Sequence, residues 1–207
     1  MQALKTDHVD FSRRYTLEEF WALPEREDHA YYELIKGYLF MVPPPNPPHG
    51  DLTSDLASAL FTFLYVNKVD GKVHFPKEPI YRRAEASTYL EPDLMYVSKT
   101  LRERMGSKRT SADIVFECLS RSTTVYDRTT KADAYLTLDV RELWLVDPVT
   151  MTIEVRHRGE VDETPVWEIV TYSRGEQAKS RVLAGWEVSV DEVFQDLVYE
   201  INSRPAQ

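Results

Sequence analysis

The spacing of hydrophobic residues predicts the helices of this chain. Apolar side chains recur at intervals of three and four from residue 51 to about 68, the pattern of an amphipathic helix with one buried face. The segment Thr16–Glu19 has the spacing of a capping box, so we expect a short helix that ends before Pro24. Prolines lack the N–H that helices and central strands need, so the proline-rich residues 43–50 should form a stiff connector ending on His49.

Extended segments account for most of the remaining chain. The expected strands are a hairpin over 31–42, an interrupted segment over 72–83, and single strands over 88–97, 112–119, 141–146, 151–156, 164–172 and 184–190. Further helices are expected over 127–138 and 191–199, with Asp191 as N-cap of the last, and 98–111 reads as a loop with one helical turn. Strand, helix and strand in succession over 112–146 predict a βαβ crossover. The pattern therefore indicates an α/β fold with a central mixed sheet, and the long helix on one face.

Composition indicates an ordinary globular protein. With 207 residues, of which 43% are hydrophobic and 29% charged, we expect one domain over 1–207, with a loose arm at 1–14 and a loose tail at 200–207. The sequence contains neither an apolar run that could cross a bilayer nor the apolar segment of a secretory signal, so we expect a cytoplasmic protein without a membrane partner. The single Cys118 excludes a disulfide framework and a multi-cysteine zinc site.

Net charge limits the nucleic-acid hypotheses. The formal charge of -9 argues against broad, non-specific affinity for phosphate backbones, which bind through Lys and Arg. Three local groups of basic residues, at 81–83, 102–109 and 121–128, are candidates for a basic patch. The alternative interpretation of each group is a solvated surface.

Two acids in apolar surroundings are the first candidates for chemistry. Alternation along 112–119 places Ile114, Phe116 and Cys118 on one face of a strand and Glu117 on the other, and Asp93 has similar apolar neighbours. If these strands pair, two nearby carboxylates repel unless one is protonated or a divalent cation lies between them. Oxygen ligands of this kind suit Mg²⁺ or Mn²⁺. Alternatively, each acid pairs with an arginine or caps a turn.

A lysine and a histidine complete the candidate set. Asp127, Lys131 and Tyr135 stand four residues apart, so they share a helix face. One interpretation is a surface ion pair between Asp127 and Lys131. The other directs Lys131 toward the carboxylates, where it would position a water or stabilise phosphate charge. His49 is a candidate proton relay or phosphate contact, with a helix-cap or surface role as the alternative.

Six motifs in this order resemble one family, the Uma-type restriction endonucleases of the PD-(D/E)XK nuclease superfamily. The motifs are YELIKG at 32–37, PPH at 47–49, EPD at 91–93, ECLS at 117–120, DxxxKxxxY at 127–135 and LWLVDP at 143–148. The resemblance covers roughly residues 15–197. It implies a restriction-endonuclease-like core, a mixed sheet flanked by helices, that hydrolyses DNA.

The resemblance also implies roles for individual residues. Asp93 and Glu117 match the two metal-binding acids, and His49 matches the family's histidine. The superfamily's lysine normally stands two residues after the second acid, where this chain has Leu119, so Lys131 is expected to replace it. Glu33 matches an acid that superfamily members contribute from an early helix.

The chain departs from the family pattern in two predicted turns. Asp139 stands where a glycine is usual before the LWLVDP strand, and Arg121 replaces a proline after the second acid. Both departures concern the shape of a loop more than the metal site.

Three functions remain open from the sequence. The leading one is an endonuclease that depends on Mg²⁺ or Mn²⁺ and acts on DNA as a homodimer, since two-fold pairing suits cleavage of both strands. The second is an inactive nuclease-fold module that binds DNA or protein, which the acidic charge favours. The third is a metal-free sugar hydrolase that uses two carboxylates.

Overall fold

The structure is a computed structural model that describes residues 9–45, 47–83, 87–120 and 122–197. The chain divides into two compact units, the first formed by Met1–Pro44 and Tyr81–Leu90 and the second by Pro45–Ile80 and Glu91–Gln207. One domain over the whole chain stays a prediction. Residues 1–8 of the expected arm, and the expected tail, lie outside the described residues.

The regular elements follow one another in this order: α1 (Leu17–Trp21), β1 (Tyr31–Ile35), β2 (Tyr38–Val42), α2 (His49–Val66), β3 (Gly71–His74), β4 (Ile80–Arg82), β5 (Thr88–Leu90), β6 (Leu94–Ser98), α3 (Lys99–Met105), β7 (Ile114–Cys118), α4 (Thr124–Tyr126), a π-helical segment (Asp127–Lys131), α5 (Ala132–Thr137), β8 (Glu142–Asp147), β9 (Thr152–Val161), β10 (Thr164–Tyr172), β11 (Gln177–Lys179), β12 (Glu187–Ser189) and α6 (Val190–Val193). No helix among the described residues is both long and apolar enough to cross a membrane.

The first unit supplies most of a four-stranded sheet in the order β2-β1-β5-β4. Its β1–β2 hairpin turns at Lys36-Gly37 as predicted, with both residues at positive φ. α1 has the predicted capping box, in which Thr16 Oγ1 accepts from the Glu19 backbone and Glu19 accepts from the Thr16 backbone. Buried apolar side chains join the helix to the sheet: Tyr15, Leu17, Phe20, Leu34 and Leu39.

The second unit is built on a six-stranded sheet in the order β10-β9-β8-β7-β6-β3. β7 and β8 pair in parallel, and the other pairs are antiparallel, so the predicted mixed sheet and βαβ crossover are confirmed. β11 and β12 form a separate two-stranded sheet. The predicted α/β fold, with mixed sheets flanked by helices, is therefore the observed one.

Helices cover both faces of the six-stranded sheet. On one face, the leucines of α2 share a core with Phe116, Trp144 and Trp186, whose rings lie 4.9 to 5.8 Å apart. On the other face, Trp167 Nε1 on β10 donates to the Ala132 carbonyl at 3.1 Å, and Arg158 on β9 donates to the Leu136 carbonyl. The helical run 124–137 therefore lies on the face that carries Glu117, as strand alternation requires.

Two differences from the sequence prediction concern where segments break. The segment 88–97 is two strands in different sheets, because Glu91–Asp93 interrupts it and Pro92 has no N–H to donate. Residues 98–111 contain α3, seven residues long rather than one turn. Ser98 is the N-cap of this helix, because its hydroxyl accepts a hydrogen bond from Leu101 N at 3.2 Å. This cap was not predicted from the sequence.

Three further differences concern helix starts. α2 begins at His49, two residues earlier than expected, so the connector supplies its first turn. The helix expected at 127–138 begins at Thr124 and includes a π-helical segment. The N-cap of α6 is Ser189 rather than Asp191, because the Ser189 hydroxyl accepts from Glu192 N. The remainder of the helix expected to end near 199 lies partly outside the described residues.

Gly71, at the start of edge strand β3, gives a test of this packing. A Cβ there would lie 2.3 Å from Cε2 of the buried Tyr96 ring. Gly71→Ala should therefore lower the free energy of unfolding by about 1–3 kcal/mol, measured by urea denaturation. Gly50→Ala in α2 is the control, because nothing lies within 4 Å of its Cβ, and it should be neutral or slightly stabilising. Equal stability of the two variants would contradict this packing.

Candidate active site

The two candidate acids lie at the same end of a pair of strands. β6 and β7 are antiparallel, with Leu94 opposite Phe116, so the register continued by one residue places Asp93 beside Glu117. Asp93 Oδ2 accepts a hydrogen bond of 2.8 Å from the backbone N–H of Cys118, the residue after Glu117. The strand pairing on which the two-carboxylate hypothesis depends is therefore present.

Glu117 is buried together with its compensating partners. Its side chain is 5% exposed and that of Lys131 3%. Lys131 Nζ lies 2.9 Å from both carboxylate oxygens, and the Tyr135 hydroxyl donates to Oε1 at 2.5 Å. An unpaired buried carboxylate is strongly unfavourable, and a cation plus a hydroxyl donor compensates it. Lys131 thus points at Glu117, as the expected relocation requires, and it is buried rather than at the surface.

A π-helical segment carries Lys131 to this position. The segment Asp127–Lys131 leads directly into α5, so the helix does not keep regular α spacing. Such π segments recur at functional sites. The sequence offered only the four-residue spacing of an α-helix, and nothing in that spacing predicts a π segment.

Ion pairs hold the other side of the same segment against the sheet. Arg128 Nη2 lies 3.2 Å from Asp147 at the end of β8, and its Nη1 pairs with Glu154 on β9. Arg156 Nε also donates to Glu154, at 2.6 Å. Arg128 was a candidate for an open basic patch, but these ion pairs occupy it. Sequence reasoning missed this network of ion pairs. The one hint to it in the sequence was Asp147, the aspartate of the LWLVDP motif.

His49 contacts the other acid. It is the first residue of α2, and its Nε2 lies 2.9 Å from Asp93 Oδ2. Burial by itself lowers the pKa of His49, and the charge of Lys131 lowers it further. The hydrogen bond and charge of Asp93, with the charge of Asp127, outweigh both effects, so the pKa of His49 is raised. His49 is therefore suited to hold a proton beside Asp93.

Cys118 is a structural rather than a reactive residue. Its Sγ lies 3.5 Å from Thr53 Oγ1 on α2. Burial raises the pKa of the Cys118 thiol well above its usual value, and the charge of Asp93 adds to the effect. The thiol therefore stays protonated and is a poor nucleophile.

Glu33 belongs to the other unit. It lies on β1, fully buried, opposite Phe40 in the four-stranded sheet. Superfamily members contribute this acid from an early helix, whereas here Glu33 lies in the hairpin that the sequence pattern predicts. His49, Asp93, Glu117 and Lys131 all belong to the second unit, and the catalytic role of Glu33 stays a prediction.

The two acids offer ligands for a hard divalent cation. Among the described residues, no group of three or more His, Cys, Asp or Glu side chains is arranged to hold a metal ion. Mg²⁺, however, is commonly bound by one or two carboxylates, with waters and substrate phosphate completing its coordination. Asp93 Oδ1 accepts no hydrogen bond from the described part of the chain, since both contacts of this carboxylate fall on Oδ2. The donor set therefore fits Mg²⁺ or Mn²⁺.

Comparisons with known proteins concern the family and the fold of the chain. The family model described as "Uma2: Putative restriction endonuclease" matches residues 17–191. The crystal structure of "a putative nuclease belonging to DUF820 from Anabaena variabilis ATCC 29413" is similar to the chain, with a TM-score of 0.67 and 19% sequence identity. That similarity covers 87% of this chain and 98% of the other, and it shows a shared fold. No curated protein matches.

The pair of Glu117 and Lys131 can be tested by its coupling energy. Lys131→Met leaves a buried, partly uncompensated carboxylate, so it should lower the free energy of unfolding by about 3–5 kcal/mol. Adding Glu117→Gln removes that charge and should restore part of the loss, measured by urea denaturation of both single variants and the double variant. Lys179→Met, which removes an exposed ion pair with Glu187, should change little. Additive losses from the two buried substitutions would contradict a direct pair.

The contact between His49 and Asp93 can be tested by NMR titration. The pKa of His49 should lie above its usual value near 6.5 and should fall in Asp93→Asn, because the raising contributions are lost. The control is His74, whose pKa is lowered and should not move. Since the folded-state pKa is raised, the stabilisation from protonated His49 is complete below about pH 6.5 and is lost as pH rises through the folded value. An unchanged His49 titration in Asp93→Asn would contradict the contact.

Proposed function

The chain belongs to the Uma2 family, described as "Putative restriction endonuclease", and we propose that it is a divalent-metal-dependent endonuclease that hydrolyses phosphodiester bonds of DNA. The observation that carries this proposal is the placement of Asp93 beside Glu117 at the ends of β6 and β7, with Lys131 on Glu117. The similarity to a solved nuclease fold supports it.

Each side chain of the site has a role in this proposal. Asp93 and Glu117 would hold Mg²⁺ or Mn²⁺, which would supply Lewis-acid polarisation of the scissile phosphate and acidification of a water. Lys131 supplies a positive charge that stabilises the charge developing on the phosphate. His49, whose pKa is raised, holds a proton that it can pass to the leaving oxygen. Tyr135 positions Glu117 through its hydroxyl.

One observation favours a second candidate, a nuclease-fold module that binds DNA or protein without cleaving. Both oxygens of Glu117 already accept donors from the protein, so this carboxylate is compensated without a cation. A metal must then displace or share the Lys131 contact. The two candidates differ in whether the protein takes up Mn²⁺, a quantity that calorimetry measures directly. The comparisons give no support to a sugar hydrolase.

The homodimer belongs to the proposal as well. Two copies related by two-fold symmetry would present one site to each strand of a duplex. Light scattering on the purified protein measures this state independently of activity.

Cleavage is the central test of the function. Purified protein with Mg²⁺ or Mn²⁺ should cut single-stranded, double-stranded or branched DNA, and EDTA should abolish cutting. Asp93→Asn and Glu117→Gln should each lower the rate at least about 100-fold, because each removes a ligand of the cation. Asp51→Asn is the control, an exposed acid in the first turn of α2 that should leave the rate unchanged.

Calorimetry gives the outcome that decides between the candidates. Mn²⁺ should bind the wild-type protein and should bind Asp93→Asn much more weakly. If no DNA is cut and no heat of Mn²⁺ binding is observed, the nuclease proposal is wrong and the binding module stands.

A further inference from the structure

A basic pocket lies in the same unit, outside the candidate active site. Its lining holds the cationic side chains of Lys72, Arg102, Lys108 and Arg109 against one carboxylate, that of Glu103. This concentration contrasts with the formal charge of -9 on the whole chain. The sequence had marked 102–109 as a candidate patch, with a solvated surface as the alternative.

Three elements build this basic pocket. Edge strand β3 contributes Lys72 and His74, and α3 contributes Arg102 near its C-terminal end. The chain then turns at Gly106, whose φ is +62°, and leads to Lys108 on the pocket wall. The cations of this concave surface therefore come from separate parts of the fold. A charged face of a single helix would draw its cations from one element only.

Electrostatics at His74 show that these charges converge. Burial lowers the pKa of His74, and the positive charges of Arg109, Arg102 and Lys72 lower it further, against the opposing charge of Glu78. Of the four cations in the pocket lining, Arg109 forms an ion pair, with Glu78.

Three of the four cations, Lys72, Arg102 and Lys108, form no ion pair with a described residue. They are exposed, so they are accessible to an anion from solution. Within the part of the chain that the structure describes, these three charges are therefore left without an ion-pair partner.

The basic pocket lies on the same face of the sheet as the candidate acids. His74 is opposite Met95 and Lys72 is opposite Val97, while Met95 is opposite Val115, which shares a face with Glu117. Residues paired across strands point to the same face. At about 3.3 Å per residue, His74 and Lys72 lie roughly 7 and 13 Å along the strands from Asp93.

We propose that the basic pocket binds the phosphodiester backbone of nucleic acid beside the phosphate that the active site cleaves. The inference rests on the proposed nuclease function for the identity of the polyanion. The strand distances correspond to roughly two to four nucleotides, at 3.4 Å per nucleotide along a duplex. Lys and Arg contacts to phosphate position a duplex without reading its sequence. The pocket would thereby give an acidic protein local affinity for DNA.

The test is DNA binding in EDTA, where no cleavage interferes. Fluorescence anisotropy with a labelled duplex, over a range of salt concentrations, compares wild type with the double variant Arg102→Gln/Lys108→Gln. The variant should bind roughly tenfold more weakly, and the slope of log affinity against log salt should fall by about 2, one for each lost phosphate contact. Arg104→Gln is the matched control, because Arg104 lies in the same last turn of α3 but not in the pocket lining.

Several outcomes would overturn the proposal. They are an unchanged affinity and salt slope in the double variant, an equal loss in Arg104→Gln, or no DNA binding by the wild type. A small-anion site would appear as stabilisation of wild type by inorganic phosphate, at matched ionic strength, with DNA affinity unaffected by the double variant. That result also overturns the proposal.

Failure of the nuclease function is distinguishable from failure of the basic pocket. Weakened binding in the double variant, with no Mn²⁺ uptake and no cleavage by wild type, supports the pocket and refutes the nuclease. Metal-dependent cleavage by wild type, with unchanged DNA binding in the double variant, supports the nuclease and refutes the pocket. Thermal unfolding of the double variant and of Arg104→Gln verifies that both are folded, as expected for substitutions of exposed side chains.

Discussion

The buried carboxylate of Glu117 constrains the arrangement around the candidate site. Its charge lies on a strand with no exposed residue, where an uncompensated ion would cost several kcal/mol. Lys131 and Tyr135 supply the compensation, and both come from the helical run 124–137 that lies on this face. Burial of a single acid therefore fixes where that run lies on the sheet, and the pairing of Arg128 with Asp147 holds its other side.

The same sheet face carries opposite charge at two places. The acids Asp93 and Glu117 stand at one end of the β6–β7 pair, and the cations of the basic pocket lie on edge strand β3, on α3 and in the segment that follows α3. A divalent cation suits the first place and a phosphate backbone suits the second. A chain with a formal charge of -9 can in this way hold a polyanion locally while its overall charge opposes non-specific binding.

Local patterns predicted much of this architecture, because they reflect local physics. Alternation along 112–119 identified the face of Glu117, and the resemblance brought Lys131 to it. The π-helical segment was not predictable from local spacing, and neither were the ion pairs of Arg128 with Asp147 and Glu154, which are 19 and 26 residues away in the chain. Contacts between residues so far apart in the chain produce no periodic pattern in the sequence from which they could be predicted. For Glu33 the hairpin predicted from the chain's own pattern is the observed structure, whereas superfamily members contribute this acid from a helix.

The central claim is that Asp93 and Glu117 share a metal ion. A crystal structure of the protein soaked in Mn²⁺, with anomalous scattering recorded at the manganese edge, tests it most directly. The account predicts an anomalous peak between the two carboxylates, with Asp93 Oδ1 and Glu117 as ligands and His49 still on Oδ2 of Asp93. An absent peak, with Lys131 Nζ still within hydrogen-bond distance of both Glu117 oxygens, would contradict it.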